Sequence, residues 1–181
     1  MVRKTTKNLR PTSNKVLLAL FNILDSSGHM ENSSFLDLFS GAGTVAMGAA
    51  ARGARRVLAV ESDRTLASDI SRRMTMEKSD QAVAVCVCAD VRRAIPKLAK
   101  DSAKSEPFNI IFADPPYCMG WMSTLPVMIA DNPQILAPDG VFVIERSARE
   151  MPIDIIIPRD DRTYGDTVLS FYWNSKALRN S

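Results

Sequence analysis

Residues that bind metals or form disulfides are scarce in this sequence. Its 181 residues include one histidine and three cysteines. This small, odd number of cysteines argues against a disulfide framework, and no Cys and His set offers the four ligands of a structural zinc site. We therefore predict no metal, a reducing, cytoplasmic compartment, and Cys86 and Cys88 packed as small hydrophobic residues on a strand.

Long apolar runs are also missing. The run that begins at Val16 is broken at Asn22 and is too short to span a membrane. Its spacing predicts instead an amphipathic helix, capped by Thr12 or Ser13, with one apolar face made of Val16, Leu17, Leu20, Phe21 and Leu24. With 46% apolar and 24% charged residues, the chain has the balance of one soluble globular domain, which we expect to be monomeric.

Positive charge is concentrated near the amino terminus. The net charge is +3, yet five basic residues precede the first acid, Asp25. We predict a basic arm at 1–15 followed by one domain at 16–181. Such an arm suits a polyphosphate partner, whose affinity comes largely from counterion release, although a solvated tail is an equal alternative.

After the first helix, short apolar runs alternate with longer amphipathic ones. This order predicts a parallel, doubly wound α/β sheet with helices on both faces. We expect strands at 34–39, 56–61, 82–88, 108–114 and 140–145, with helices at 44–52, 63–78, 91–103 and 120–131. Two further strands, at 153–158 and 167–173, are predicted to form an antiparallel pair at one edge, joined by a turn that contains Tyr164 and Gly165.

A glycine-containing loop, DLFSGAGT (37–44), follows the first predicted strand and opens a helix. Gly41 and Gly43 permit positive φ and close approach of a ligand to the backbone. We therefore predict a small-molecule site at the carboxyl end of this strand. Read with Ala46, the loop also satisfies the relaxed dinucleotide-binding pattern, so the loop alone does not identify the ligand.

Acids at three successive strand ends favour a positively charged ligand. Asp37 would repel a pyrophosphate at the helix amino terminus, whereas it attracts the sulfonium and ammonium groups of S-adenosylmethionine. Glu61 is placed to bind ribose hydroxyls, and Asp90 to accept a hydrogen bond from adenine, to cap the next helix, or both. We therefore predict S-adenosylmethionine rather than a dinucleotide, with further cofactor contacts from Phe39, Ser62 and Val91.

The strand at 108–114 runs into the tetrad Asp114, Pro115, Pro116 and Tyr117. A rigid turn would explain the prolines but neither the acid nor the aromatic residue. The exocyclic amine of a nucleobase is a weak nucleophile because its lone pair is delocalised into the ring. The Asp114 carboxylate and the Pro115 carbonyl can accept hydrogen bonds from both N–H groups and so localise that lone pair, while Tyr117 stacks on an extruded base. We predict that the tetrad is catalytic and acts mainly through positioning and electrostatics.

These motifs and their flanking segments resemble a known family. DLFSGAG followed by DPPY is similar to class I amino-methyltransferases. The segments RPTSNKVLLALFNIL (10–24), FNIIFADPPY and RTYGDTVLSFYW further resemble the family that methylates the N2 amino group of a guanine in small-subunit ribosomal RNA.

The resemblance covers nearly the whole chain and implies a fold, a cofactor and a partner. The fold is a single-domain, Rossmann-like class I methyltransferase with a mostly parallel seven-stranded sheet and an antiparallel carboxyl-terminal hairpin strand. The implied cofactor is S-adenosylmethionine, and the implied partner is ribosomal RNA or the small ribosomal subunit. The tetrad would hold the guanine, and the RNA side would involve Arg10, Pro11, Thr12 and Lys15.

Other functions remain open from the sequence. The same tetrad serves adenine N6 in RNA or DNA, although a DNA enzyme generally needs an added recognition domain. Methylation of protein glutamine is disfavoured because that chemistry usually has Asn where Asp114 stands. A non-catalytic ribosomal RNA assembly factor would leave the tetrad and the three acids unexplained.

Overall fold

The structure is a computed structural model that describes residues 13–76, 82–101, 106–153 and 159–174. Its helices are α1 Asn14–Ser26, α2 Thr44–Ala51, α3 Arg64–Met76, α4 Val91–Asp101 and α5 Trp121–Ala130. Its strands are β1 Ser34–Leu38, β2 Arg56–Glu61, β3 Val83–Cys88, β4 Phe108–Ala113, β5 Leu136–Ser147, β6 Arg159–Tyr164 and β7 Thr167–Trp173. A 3₁₀ turn at Pro133–Ile135 precedes β5.

The strands form one sheet in the order β3-β2-β1-β4-β5-β7-β6. The first five are parallel, and β7 lies antiparallel between β5 and β6. The chain reverses its direction of winding between β1 and β4, so the carboxyl ends of these neighbouring strands open a crevice at one edge. The predicted seven-stranded, mostly parallel fold is confirmed.

Helices cover both faces of the sheet and create two hydrophobic layers. On one face, apolar residues of α1, α2 and α3 pack on inward residues such as Phe35, Ile110 and Val143. On the other face, α4 and α5 pack on Leu36, Ile111 and their neighbours. Burial on both faces explains why the central strands read as continuous apolar runs in the sequence.

The first helix begins where the cap was predicted. The Ser13 side chain accepts a hydrogen bond from the backbone N–H of Val16 at 3.3 Å, which makes Ser13, of the two candidates, the cap. Val16, Leu20, Phe21 and Leu24 are buried, whereas Leu17 is only partly buried at the margin of the same layer. None of the helices in the described ranges is long and apolar enough to cross a membrane.

The predicted strand at 153–158 is wrong as the partner of β7. Ile153 is not in a strand, and 154–158 lie outside the described residues. The partner is the polar segment β6, which ends at Tyr164, so the turn consists of Gly165 and Asp166 instead. An edge strand has one neighbour and a largely exposed surface, so backbone hydrogen bonds and ion pairs hold it without an apolar pattern.

The two cysteines of β3 differ in their surroundings. Cys86 is partly buried against the core, as predicted, whereas Cys88 is exposed, so its predicted packing is wrong. Side chains of β3 are more exposed because β3, like β6 at the other end of the strand order, is an edge strand with a neighbour on one side only.

A buried arginine joins β6 to the rest of the sheet. Arg146 on β5 donates hydrogen bonds to the Ser170 hydroxyl (2.9 Å) and to the Asp161 carboxylate on β6 (2.9 Å). Its side chain is only 3% exposed, so the loss of its counter-ion leaves a charge with little solvation.

We predict that Asp161→Ala lowers the free energy of unfolding by about 1–3 kcal/mol, because Arg146 then lacks its carboxylate partner. Asp160→Ala is the matched control, since Asp160 pairs with exposed Arg162, and should cost less than about 0.5 kcal/mol. Urea denaturation measures both. Equal losses would mean that the ion pair of Arg146 is not what stabilises β6.

Candidate functional site

The glycine loop after β1 has the strained backbone expected at a binding site. Phe39 has a φ of 63°, in the left-handed region that few non-glycine residues adopt, and Gly41 and Gly43 have φ of 53° and 73°. A Cβ on Gly43 would lie 2.9 Å from a carbon of Ile70 on α3, so a larger residue cannot fit there without displacing its neighbour. The loop therefore presents its backbone at the carboxyl edge, beside the crevice.

Two of the predicted cofactor acids hold this loop. The Asp37 carboxylate accepts a hydrogen bond from the N–H of Ala46 in the first turn of α2 (3.1 Å). The Glu61 carboxylate accepts from the N–H of Gly41 (2.8 Å) and of Asp63 (2.7 Å). Both acids are buried, and backbone N–H groups supply the hydrogen bonds that buried carboxylates need.

The protonation of Asp37 is unusual. Its pKa is raised from 3.8 to about 8, mainly by burial and to a smaller extent by the charges of Asp114 and Glu61, while hydrogen bonds from Ser40 and Ala46 oppose the rise. Because Leu38 pairs with Ala113, Asp114 follows β4 directly beside the glycine loop, across the β1–β4 crevice. A positively charged ligand at this point would favour the ionised form of Asp37.

The remaining predicted cofactor residues line the ends of β2 and β3. Ser62 is exposed and follows Glu61. The Asp90 carboxylate accepts a hydrogen bond from the N–H of Arg92 at 2.8 Å, which confirms its role as a cap of α4. Val91 is buried beneath it. The predicted contacts of these residues with a cofactor stay predictions.

The tetrad follows β4 directly at the same edge. Asp114 and Pro116 are partly exposed, Pro115 is buried, and the Tyr117 side chain is 37% exposed. An exposed tyrosine beside a partly exposed carboxylate matches the predicted arrangement of a stacking face next to an amine acceptor. Their catalytic roles stay predictions.

A brace from the loop after β5 holds the tetrad loop. Cys118, the residue after Tyr117, has a φ of 59°, and its N–H donates to the Glu150 carboxylate at 2.8 Å. The carbonyl of Glu150 in turn accepts from the guanidinium of buried Arg146 at 2.7 Å. The strained residue is therefore fixed by a chain of contacts to the sheet. Sequence reasoning missed this brace.

An aromatic cluster links the glycine loop to the start of α5. The Phe39 ring meets the Trp121 ring edge to face at a centroid distance of 4.7 Å. The Arg92 guanidinium lies 3.9 Å from the centroid of the same Trp121 ring. Phe39 was among the predicted cofactor contacts, whereas Arg92 and Trp121 were missed.

The predicted RNA residues are described only in part. Arg10, Pro11 and Thr12 lie outside the described residues, and Lys15 is exposed in the first turn of α1. No cluster of three or more His, Cys, Asp or Glu within the described ranges has metal-binding geometry. The edge brings together carboxylates, backbone groups and aromatic rings around one crevice.

Comparison with known proteins gives relatives over most of the chain. A family model described as "Conserved hypothetical protein 95" matches residues 1–173. "Putative rRNA methyltransferase YlbH" of Bacillus subtilis is 30% identical, over 90% of this chain and 86% of the relative. "Ribosomal RNA small subunit methyltransferase D" of Buchnera aphidicola is 26% identical, over 89% and 78%.

A solved structure supports the fold. "Putative methyltransferase yhhF from Escherichia coli" has a TM-score of 0.74 and 23% identity, and the alignment covers 95% of this chain and 91% of that one. At this level of identity the likeness concerns the fold alone.

We predict that the raised pKa of Asp37 makes stability depend on pH. Between pH 4 and 8 the folded protein retains a proton that the unfolded chain has lost, so the free energy of unfolding should fall as pH rises through this window. Asp37→Asn should flatten this decline, while Asp25→Asn, at an exposed position of α1, should retain it. Denaturant titrations at pH 5 and pH 8 measure the effect. A wild-type curve that rises over this window would contradict the assignment.

Proposed function

The chain belongs to the family described as "Conserved hypothetical protein 95", and we propose that it transfers a methyl group from S-adenosylmethionine to the N2 amino group of a guanine in small-subunit ribosomal RNA. The observation that carries the proposal is the placement of the Asp114–Tyr117 tetrad beside the glycine loop and Asp37, across the crevice between β1 and β4. The names of the curated relatives, both ribosomal RNA methyltransferases, support the substrate class.

The acids at the edge fit a cationic cofactor. Asp37 and Glu61 lie close enough for their charges to interact, and Asp114 adds to this repulsion. A sulfonium and an ammonium group would relieve the repulsion, whereas a pyrophosphate would increase it. Asp37 and the backbone of Gly41 and Gly43 would hold the amino-acid end of the cofactor, and Glu61 and Asp90 its nucleoside end. S-adenosylmethionine supplies an electrophilic methyl group when bound.

The chain's own residues activate the amine. The Asp114 carboxylate and the Pro115 carbonyl accept hydrogen bonds from the two N–H groups of the guanine N2 amine. These hydrogen bonds draw the nitrogen lone pair out of the ring and aim it at the methyl group. Tyr117 offers its exposed face to the extruded base, a contact worth about 1–3 kcal/mol. After transfer, the nitrogen must lose one proton, and Asp114 is the nearest tetrad group able to receive it.

The basic amino-terminal segment supports an RNA partner. Lys15 is exposed near the start of α1, and the basic residues before it, Arg10 among them, are proposed to contact phosphates together with Pro11 and Thr12. The same fold accepts other exocyclic amines, so adenine N6 is the competing target that the first experiment below distinguishes.

We predict that the purified protein transfers labelled methyl from S-adenosylmethionine to small ribosomal subunits that lack the modification, and that nuclease digestion yields N2-methylguanosine. Label recovered as N6-methyladenosine would overturn the guanine assignment. Cofactor binding without transfer to any RNA would favour a non-catalytic assembly factor.

We predict that Asp114→Ala lowers the rate of methyl transfer at least about a hundredfold, because the amine loses the acceptor that localises its lone pair. Its affinity for S-adenosylmethionine, measured by calorimetry, should stay within a few-fold of wild type. Asp131→Ala, at the exposed end of α5, is the control and should leave both quantities unchanged. Equal loss of transfer and cofactor affinity would place Asp114 in the cofactor pocket instead.

A further inference from the structure

Two large apolar side chains beside the tetrad are exposed and unused by the proposed chemistry. Met119 lies two residues after Tyr117 and is 62% exposed, and Met151 lies on the loop after β5 and is 64% exposed. Scattered exposed apolar residues are ordinary on protein surfaces, but neighbouring ones next to a site indicate contact with another molecule.

Two hydrogen bonds join the segments that carry these two methionines. The Glu150 carboxylate accepts the N–H of Cys118 at 2.8 Å, and Met151 and Met119 are the next residues on the two segments. A second hydrogen bond, from the N–H of Ile153 to a carbonyl in the first turn of α5 (3.3 Å), ties the segments again just beyond them. Met119 and Met151 therefore lie on two adjoining segments next to the tetrad, and we call these two exposed residues together the methionine surface.

Two arginines flank the methionine surface. The Arg92 guanidinium covers the ring of Trp121 at the start of α5, and Arg149 directly precedes Glu150. Within the described ranges neither arginine forms an ion pair with an acid, in contrast to Arg72, Arg146 and Arg162. Positive charge on both sides of an exposed apolar surface is complementary to a nucleic acid, which combines phosphates with apolar base faces.

We propose that the methionine surface inserts into the base stack of the RNA when the target base is extruded, while Arg92 and Arg149 contact the flanking phosphates. This inference rests on the proposed function and assigns its RNA interface. Extrusion leaves a gap in the stack, and apolar side chains that fill such gaps offset the cost of unstacking. The unbranched thioether of methionine adapts its shape to such a gap.

The test compares Met119→Ser/Met151→Ser and Arg149→Gln with wild type, using small ribosomal subunits that lack the modification. The methionine double variant should lower kcat/KM at least about tenfold, as expected for the loss of a base contact. Arg149→Gln should weaken filter binding to the subunits and reduce the slope of log affinity against log salt by about one. In both variants the calorimetric affinity for S-adenosylmethionine should stay within about twofold, because the cofactor acids are untouched.

Matched controls separate a surface effect from a loss of folding. Met76→Ser replaces a methionine that is 75% exposed at the far end of α3, and Arg52→Gln replaces an arginine that follows α2 at the opposite edge. Both should retain wild-type transfer and salt dependence. Met119→Leu/Met151→Leu keeps the apolar bulk and should restore most of the activity that the serine variant loses.

Different outcomes bear on different claims. Wild-type transfer by the serine double variant, an unchanged salt slope for Arg149→Gln, or an equal loss in Met76→Ser would each overturn the RNA interface while leaving the methyltransferase proposal intact. A wild-type protein that binds S-adenosylmethionine but methylates no RNA would overturn the proposed function itself.

Discussion

The reversal of winding between β1 and β4 is the constraint on which the site depends. Because these two strands are hydrogen-bonded neighbours, the acid within β1 and the acid after β4 lie across one narrow crevice. Their charges disfavour one another, and burial makes the inner acid costly to ionise. Part of this cost is offset by the backbone N–H of Ala46, in the first turn of α2, which donates a hydrogen bond to the inner acid.

A second constraint acts on the outer wall of the crevice. The tetrad loop contains a left-handed cysteine, a conformation that the loop would not retain by itself. The Glu150 carboxylate accepts a hydrogen bond from this cysteine, and the Glu150 carbonyl accepts one from the buried guanidinium of Arg146. Arg146 in turn donates hydrogen bonds to β7 and β6. The antiparallel end of the sheet thus contributes to the geometry of the site.

Much of this arrangement could be predicted from the sequence, because it depends on local patterns. The alternation of apolar runs predicted the five parallel strands, and the glycine loop, Glu61, Asp90 and the tetrad were recognisable from residues close in the chain. The brace between Cys118 and Glu150 spans 32 residues and has no local signature. The edge strand β6 was missed because charge and backbone pairing, rather than apolar alternation, hold it in place.

The polar composition of β6 has a consequence for the molecule in a crowded solution. An edge strand offers unpaired backbone groups that can recruit a strand of another chain, which is the first step of aggregation. Here two arginine–aspartate ion pairs lie along that edge, so an incoming strand would have to desolvate fixed charges of both signs. The same residues that attach the strand to its own sheet thereby discourage the sheet from growing.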